Sequence, residues 1–251
     1  MRHCSVFSVA SAVLLASGAF GLSLPSFPGP IGAFQPWLSP DQVKLHYRSV
    51  RQSIVDGYND AVKHTPFALR SPLDLVQYCG RRDECPPGAL YYASMHVNND
   101  FYWSSITHRA PDVDASPEDG KLAKEIQERW GSFEKMKAEW NQRAASFKGS
   151  GWLWLVLRGD TQKIDIIETA NEGNPTRDGH EPILVMDLWE HAYMLDYPGQ
   201  PGKFVEKFWD YVNWQHAHGY HHKGRAYFDE FGQPTKLNGE NNSRWPDKNE
   251  L

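Results

Sequence analysis

The stretch "PILVMDLWEHAYMLDYPGQPGKFVEKFWDYVNW", residues 182–214, changes its pattern twice and so decides the local architecture. A continuous apolar run over residues 182–186 ends in a carboxylate at Asp187, as a buried strand does where it leaves its sheet. His191 follows four residues later between Trp189 and Tyr193, and beyond the turn-forming "YPGQPG" the apolar positions return at helical spacing. A carboxylate leaving a strand and an imidazole just past it can share one metal inside an aromatic wall. In isolation, the same pair reads more simply as a helix cap beside a core histidine. The surrounding sequence has to decide between the two.

Upstream, "GWLWLVLRG" (151–159), "KIDIIETAN" (163–171) and "EPILVMD" (181–187) are short apolar runs between turn residues, and predict three strands. "GKLAKEIQERWGSFEKMKAEWNQRAASF" (120–147) is strongly helical, and its alternating charges mark a solvated face. "HRAPDVDASPEDG" (108–120) reads as a boundary. Before it, "SPDQVKLHYRSVRQSIVDGYNDAVKH" (39–64) begins with a Ser-Pro helix entry, and "GALYYASMHVNNDFYWSSI" (88–106) is a second long helix beyond a polar cysteine loop. The two predict an antiparallel helical hairpin. Helices first and a small sheet later make an α+β architecture with two lobes. The expected units are a Pro/Gly-rich lead-in at 20–38, the hairpin domain at 39–112, a C-terminal α/β domain at 113–222 and a polar tail at 223–251. "WQHAHGYHH" (214–222) gathers four histidines that offer a second metal site or a solvated helix end.

With 251 residues, 40% apolar and 13% aromatic, the chain can bury a substantial core. Its net charge of -5 argues against a nucleic-acid partner. The first residues, "MRHCSVFSVASAVLLASGAFGLS", place Arg2 before an apolar run too short to span a bilayer comfortably, then small residues at Ser17 and Ala19. This is the pattern of a cleaved secretory signal at 1–19, with no membrane span left after cleavage. The Ala19-Phe20 junction also resembles the two-part signals of complex plastids. The last four residues, "KNEL", resemble an endoplasmic-reticulum retrieval signal with Asn249 in place of aspartate. Cys79 and Cys85 suit a small disulfide in an oxidising lumen, with two unpaired thiols as the alternative, and Asn241 opens a glycosylation sequon. The expected location is the endoplasmic-reticulum lumen, with secretion from the cell or a complex plastid as alternatives.

The segment 187–214 closely resembles the C-terminal signature of the iron/manganese superoxide dismutases. "FKGSGWLWLVL" (147–157), "WGSFEKMKAEW" (130–140) and "FYWSSI" (101–106) resemble further motifs of that family. The resemblance implies an N-terminal helical hairpin, a C-terminal α/β domain with a three-stranded antiparallel sheet, and one iron or manganese between them. It also implies conversion of two superoxide ions and two protons to oxygen and hydrogen peroxide. By this resemblance His46, Asp187 and His191 are metal ligands, while the position of the remaining ligand histidine is Asn99. His96, one helical turn earlier, is a candidate substitute donor.

Several further family positions are altered. The gate tyrosine is Ile54; a histidine and its tyrosine partner are Val50 and Met194; the solvent-binding glutamine of iron-type members is Met95. The corresponding glutamine of manganese-type members falls near Glu172, and the inter-subunit bridging glutamate is kept as Glu190. An amide oxygen is a poorer ligand than imidazole, and the lost polar groups would tune bound solvent and deliver protons. The expectation is a homodimer through the face around Glu190 with dismutation impaired or lost, holding iron, manganese or no metal. An active enzyme with three strong ligands and a structural subunit of a larger assembly are the alternatives.

Overall fold

The computed structural model describes residues 21–27, 29–79, 85–108 and 120–231, with 227–231 described by backbone alone. The expected signal, Asn241 and "KNEL" lie outside the described residues.

The first long helix is built in three pieces. Helix α1 (Pro40–Val43) starts where the Ser39 hydroxyl accepts a bond from the Gln42 amide, with Pro40 at the first helical position. The ladder then widens into a π-helical stretch over Lys44–Val50 before tightening into α2 (Arg51–Val62). Such π turns re-aim side chains and recur at functional sites; this one carries the buried His46. A short helix, α3 (Pro72–Cys79), occupies part of the connection read from sequence as a loop. Helix α4 (Ala89–Ser105) then packs on both α2 and α3. Gly57 lets α2 approach α4 closely, because a Cβ there would meet the Tyr92 ring at 2.4 Å. The Cys79–Cys85 disulfide joins the end of α3 to the approach to α4, with Cα atoms 5.7 Å apart.

Helices α5 (Gly120–Trp130) and α6 (Phe133–Ser146) lead into three strands, β1 (Gly151–Leu157), β2 (Ile164–Ala170) and β3 (Glu181–Asp187). They form an antiparallel sheet in the order β2-β1-β3. Every residue of β1 and β3 is buried, β3 under α4 and α8, whereas β2 buries Ile164 and Ile166 and leaves the residues between and beyond them more open. The α+β class and the three-stranded antiparallel sheet therefore hold.

The closing helix differs from expectation. Helix α7 (Pro201–Phe208) ends in a 3₁₀ turn at Trp209–Tyr211, and α8 (Trp214–Phe231) follows. The break lets Thr107 N–H donate to the Tyr211 carbonyl and Asn213 N–H to that of Ser105, both at 2.8 Å, tying the end of α4 to the C-terminal part. Helix α8 continues past residue 223, so the region read as a polar tail begins inside a helix. The lead-in is also more deeply packed than its composition suggests. Trp37 stacks on Phe204 with centroids 5.3 Å apart and donates its indole N–H to the Phe204 carbonyl at 3.1 Å. Leu22 exchanges two bonds of 2.8 Å with the Asn59 side chain. Among the described residues no helix is long and apolar enough to cross a membrane.

Candidate metal centre

Four elements aim side chains at one point. His46 comes from the π turn, Asn99 from the middle of α4, Asp187 from the last residue of β3, and His191 from the 3₁₀ turn Glu190–Ala192. His46, Asn99 and Asp187 are fully buried, and His191 is partly buried. The Asp187 Oδ2 lies 3.2 Å from His46 Nε2 and 3.3 Å from His191 Nε2, and its Oδ1 accepts the Trp189 amide at 2.8 Å. Asn99 donates its Nδ2 to the Met95 carbonyl at 2.9 Å, which turns its Oδ1 toward His46 Nε2, also at 2.9 Å. The amide's orientation thus follows from its bonds.

Protonation suits a cation. Burial pushes the His46 pKa below that of a free imidazole despite the nearby Asp187 carboxylate, so the ring is held neutral. Burial pushes Asp187 up, but His191 and His46 outweigh it and hold the carboxyl below its ordinary range. Neutral imidazole and ionised carboxylate are the ligating forms. His46, Asp187 and His191 offer ligand atoms within 4.8 Å of one another. Contacts near 3 Å are what donors show when each sits about 2.1 Å from one ion. Two imidazoles and a carboxylate match iron, manganese or zinc, so the residues present fit such a metal. Tyr102 stacks on His46 at 5.4 Å and Trp189 on His191 at 5.5 Å, forming the aromatic wall.

The remaining positions fall in different places. His96 faces away from the four converging atoms: its Nε2 is 3.0 Å from Asp100 Oδ2, and Arg51 pairs with the same carboxylate. Burial, with Arg51 beside it, lowers the His96 pKa to about 4. Ile54 and Met95 are buried in the core, Val50 packs against it, and Glu190 and Met194 are exposed. Glu172 touches α4 through its backbone carbonyl, 3.4 Å from Asn98 Nδ2, while its carboxylate raises the Tyr91 pKa after burial and Tyr92. The histidines after Trp214 separate. His216 lies under Phe101 and Tyr220, and His221 is 3.2 Å from Glu125, so no second metal cluster forms among the described residues.

Two supporting residues escape sequence reasoning. Gln42, fully buried, donates to the His191 carbonyl at 2.7 Å and accepts from the Leu195 amide at 2.9 Å, steadying the turn that carries His191. A glutamine in a first helical turn gives no periodic signal of burial. Asn174 donates to Asn98 Oδ1 at 2.7 Å, and the Asn-Pro pair in "NEGNP" was its available cue.

Comparison with known proteins gives consistent similarities. Residues 118–219 match the family model of the C-terminal domain of iron/manganese superoxide dismutases. The chain is 34% identical over 198 residues to an iron superoxide dismutase of Plasmodium falciparum, spanning 78% of this chain and 94% of that protein. It is 34% identical over 191 residues to an iron superoxide dismutase of Coxiella burnetii, covering 76% and 93% of the two chains. A manganese superoxide dismutase of Listeria monocytogenes is 33% identical over 196 residues, covering 77% and 94%.

Proposed function

The chain belongs to the iron/manganese superoxide dismutase family, and from that premise we propose that it is a metal-binding member in which superoxide dismutation is impaired or lost. The observation that carries this reading is Asn99, whose amide stands among His46, Asp187 and His191. Those three residues would hold iron or manganese, which supplies a centre able to accept and return one electron. Replacing imidazole by an amide oxygen removes up to about a quarter of the ~10–16 kcal/mol that four ligands give a structural zinc site. Dismutation also consumes protons, and the buried side chains of Ile54 and Met95 carry none to give. Tyr102, the phenol stacked on His46, is pushed well above its ordinary pKa by burial and by Asp187, which makes it a reluctant acid.

A second reading, an active dismutase with three strong ligands, draws support from the Asn99 Oδ1 facing the cluster. The separating experiment measures metal content and superoxide consumption of protein from an iron- and manganese-replete host. Slow consumption by metal-loaded protein is expected; one metal per chain with turnover as fast as an intact family member would overturn the impaired reading.

A homodimer through the face around Glu190 is part of the proposal, supported by the exposed Met194 and Leu195 on that turn. Residence in the endoplasmic-reticulum lumen is likewise proposed, with an extracellular or complex-plastid location as alternatives. It is supported by the N-terminal apolar run, the "KNEL" ending and a Cys79–Cys85 disulfide suited to an oxidising compartment. Unchanged localisation after deleting residues 248–251 would remove the retrieval part.

A further inference from the structure

We propose that Asn99 Oδ1 is a fourth protein donor to a divalent cation held with His46, Asp187 and His191, making a site of two nitrogens and two oxygens. The inference rests on the metal-binding part of the function proposed above and does not depend on how fast superoxide is consumed.

Hydrogen-bond accounting is the first argument. His46 Nε2 faces two oxygens, Asn99 Oδ1 at 2.9 Å and Asp187 Oδ2 at 3.2 Å, and His191 Nε2 faces Asp187 Oδ2 at 3.3 Å. A neutral imidazole has one N–H, so the His46 Nε2 can donate to only one of its two oxygens. A cation among the four atoms takes one lone pair from each at once and needs no proton on either Nε2.

The second argument is orientation. Asn99 is fully buried on α4, and its Nδ2 is already committed to the Met95 carbonyl. Turning the amide over would lose that bond and set Oδ1 against the Met95 carbonyl, two acceptors facing each other. Met95, which supplies that carbonyl, is itself buried in the core. The oxygen is therefore held in a donating pose before any ion arrives, which is the supporting bond that metal ligands commonly need.

The third argument removes the competitor. His96, the other nearby imidazole on α4, is engaged with Asp100, and Asp100 is also paired with Arg51. Bringing His96 inward would leave a buried guanidinium and a carboxylate to rearrange. One carboxylate with three neutral donors gives the protein side a charge of -1, and a neutral amide oxygen suits a divalent ion of the manganese-to-zinc range.

The test uses the full chain, freed of metal and titrated with Mn2+, Zn2+ and Co2+ against a chelator of known affinity. Wild type should bind one equivalent of each ion. Asn99→Ala and the volume-conserving Asn99→Leu should weaken binding about 10- to 100-fold, the range seen when a positioned metal partner is lost. Asn99→Asp should bind as tightly as wild type or tighter and shift the visible Co2+ bands, and His96→Ala should change neither. Retained affinity in Asn99→Ala, or a loss confined to His96→Ala, would overturn the assignment. So would a folded wild type that takes up none of the three ions. If the alanine and leucine variants fail to fold, unaltered Co2+ bands in Asn99→Asp would still overturn it. Superoxide consumption in the same samples keeps the two ideas apart. Fast turnover with Asn99-dependent affinity sinks only the impaired reading, and slow turnover with Asn99-independent affinity sinks only the donor.

Discussion

At position 99 an amide stands beside His46, while Asp187 and His191 meet each other through elements other than α4. Asn99→His exchanges the bond to the Met95 carbonyl for a third imidazole. It should tighten metal binding by up to about 100-fold, the equivalent of ~3 kcal/mol. Ligation alone does not restore protons to the wall. Adding Met95→Gln and Ile54→Tyr should therefore raise the rate of superoxide consumption well above that of the single variant, by about tenfold or more. Stopped-flow decay of superoxide at matched metal occupancy checks this; a triple variant that binds metal but is no faster would place the defect elsewhere.

At the scale of elements, the site depends on turns more than on regular structure. His46 is aimed by a π turn, His191 by a 3₁₀ turn, and only Asp187 and Asn99 come from an ordinary strand and helix. Gln42, in α1 just before the π stretch, ties that end of the hairpin to the His191 turn through the His191 carbonyl and the Leu195 amide. Gln42→Ala breaks two hydrogen bonds and leaves the Leu195 amide and the His191 carbonyl short of a partner. It should cost about 2 kcal/mol of stability in urea unfolding. Metal affinity should fall as well, because the His191 turn loses its tether. A variant with reduced stability and unaltered affinity would show that the turn holds its shape unaided. These linkages also explain what could be read in advance. The strands and both long helices announce themselves through period and composition. The break at Trp209 and the burial of Gln42 go with contacts between distant segments, which no local pattern records.

Across the whole molecule, the lead-in and α7 are joined through Trp37 and Phe204, and the end of α4 is joined to the turn after α7. The lead-in was legible as extended chain but not as core, because proline and glycine spacing describes backbone and says little about where Phe34, Trp37 and Leu38 are buried. That His46, Asp187 and His191 belong together was legible through long motifs, whereas the pose of the Asn99 oxygen toward His46 was not. The surface around Glu190 leaves Met194 46% and Leu195 51% exposed, an apolar pair that a second copy would cover. Leu195→Glu should shift sedimentation from dimer to monomer with little effect on the melting of the monomer itself. A wild type that sediments as a monomer at tens of micromolar (roughly the range where a specific interface of standard size holds) would exclude that arrangement.

The bond from Asn99 Nδ2 to the Met95 carbonyl has a consequence in the language of heredity. Asparagine and histidine codons differ at their first base alone. Helix α4 carries residue 99 to His46, which converges with Asp187 and His191. A single first-base change at codon 99 would therefore set a third imidazole beside His46, His191 and the Asp187 carboxylate, at the cost of the bond to Met95.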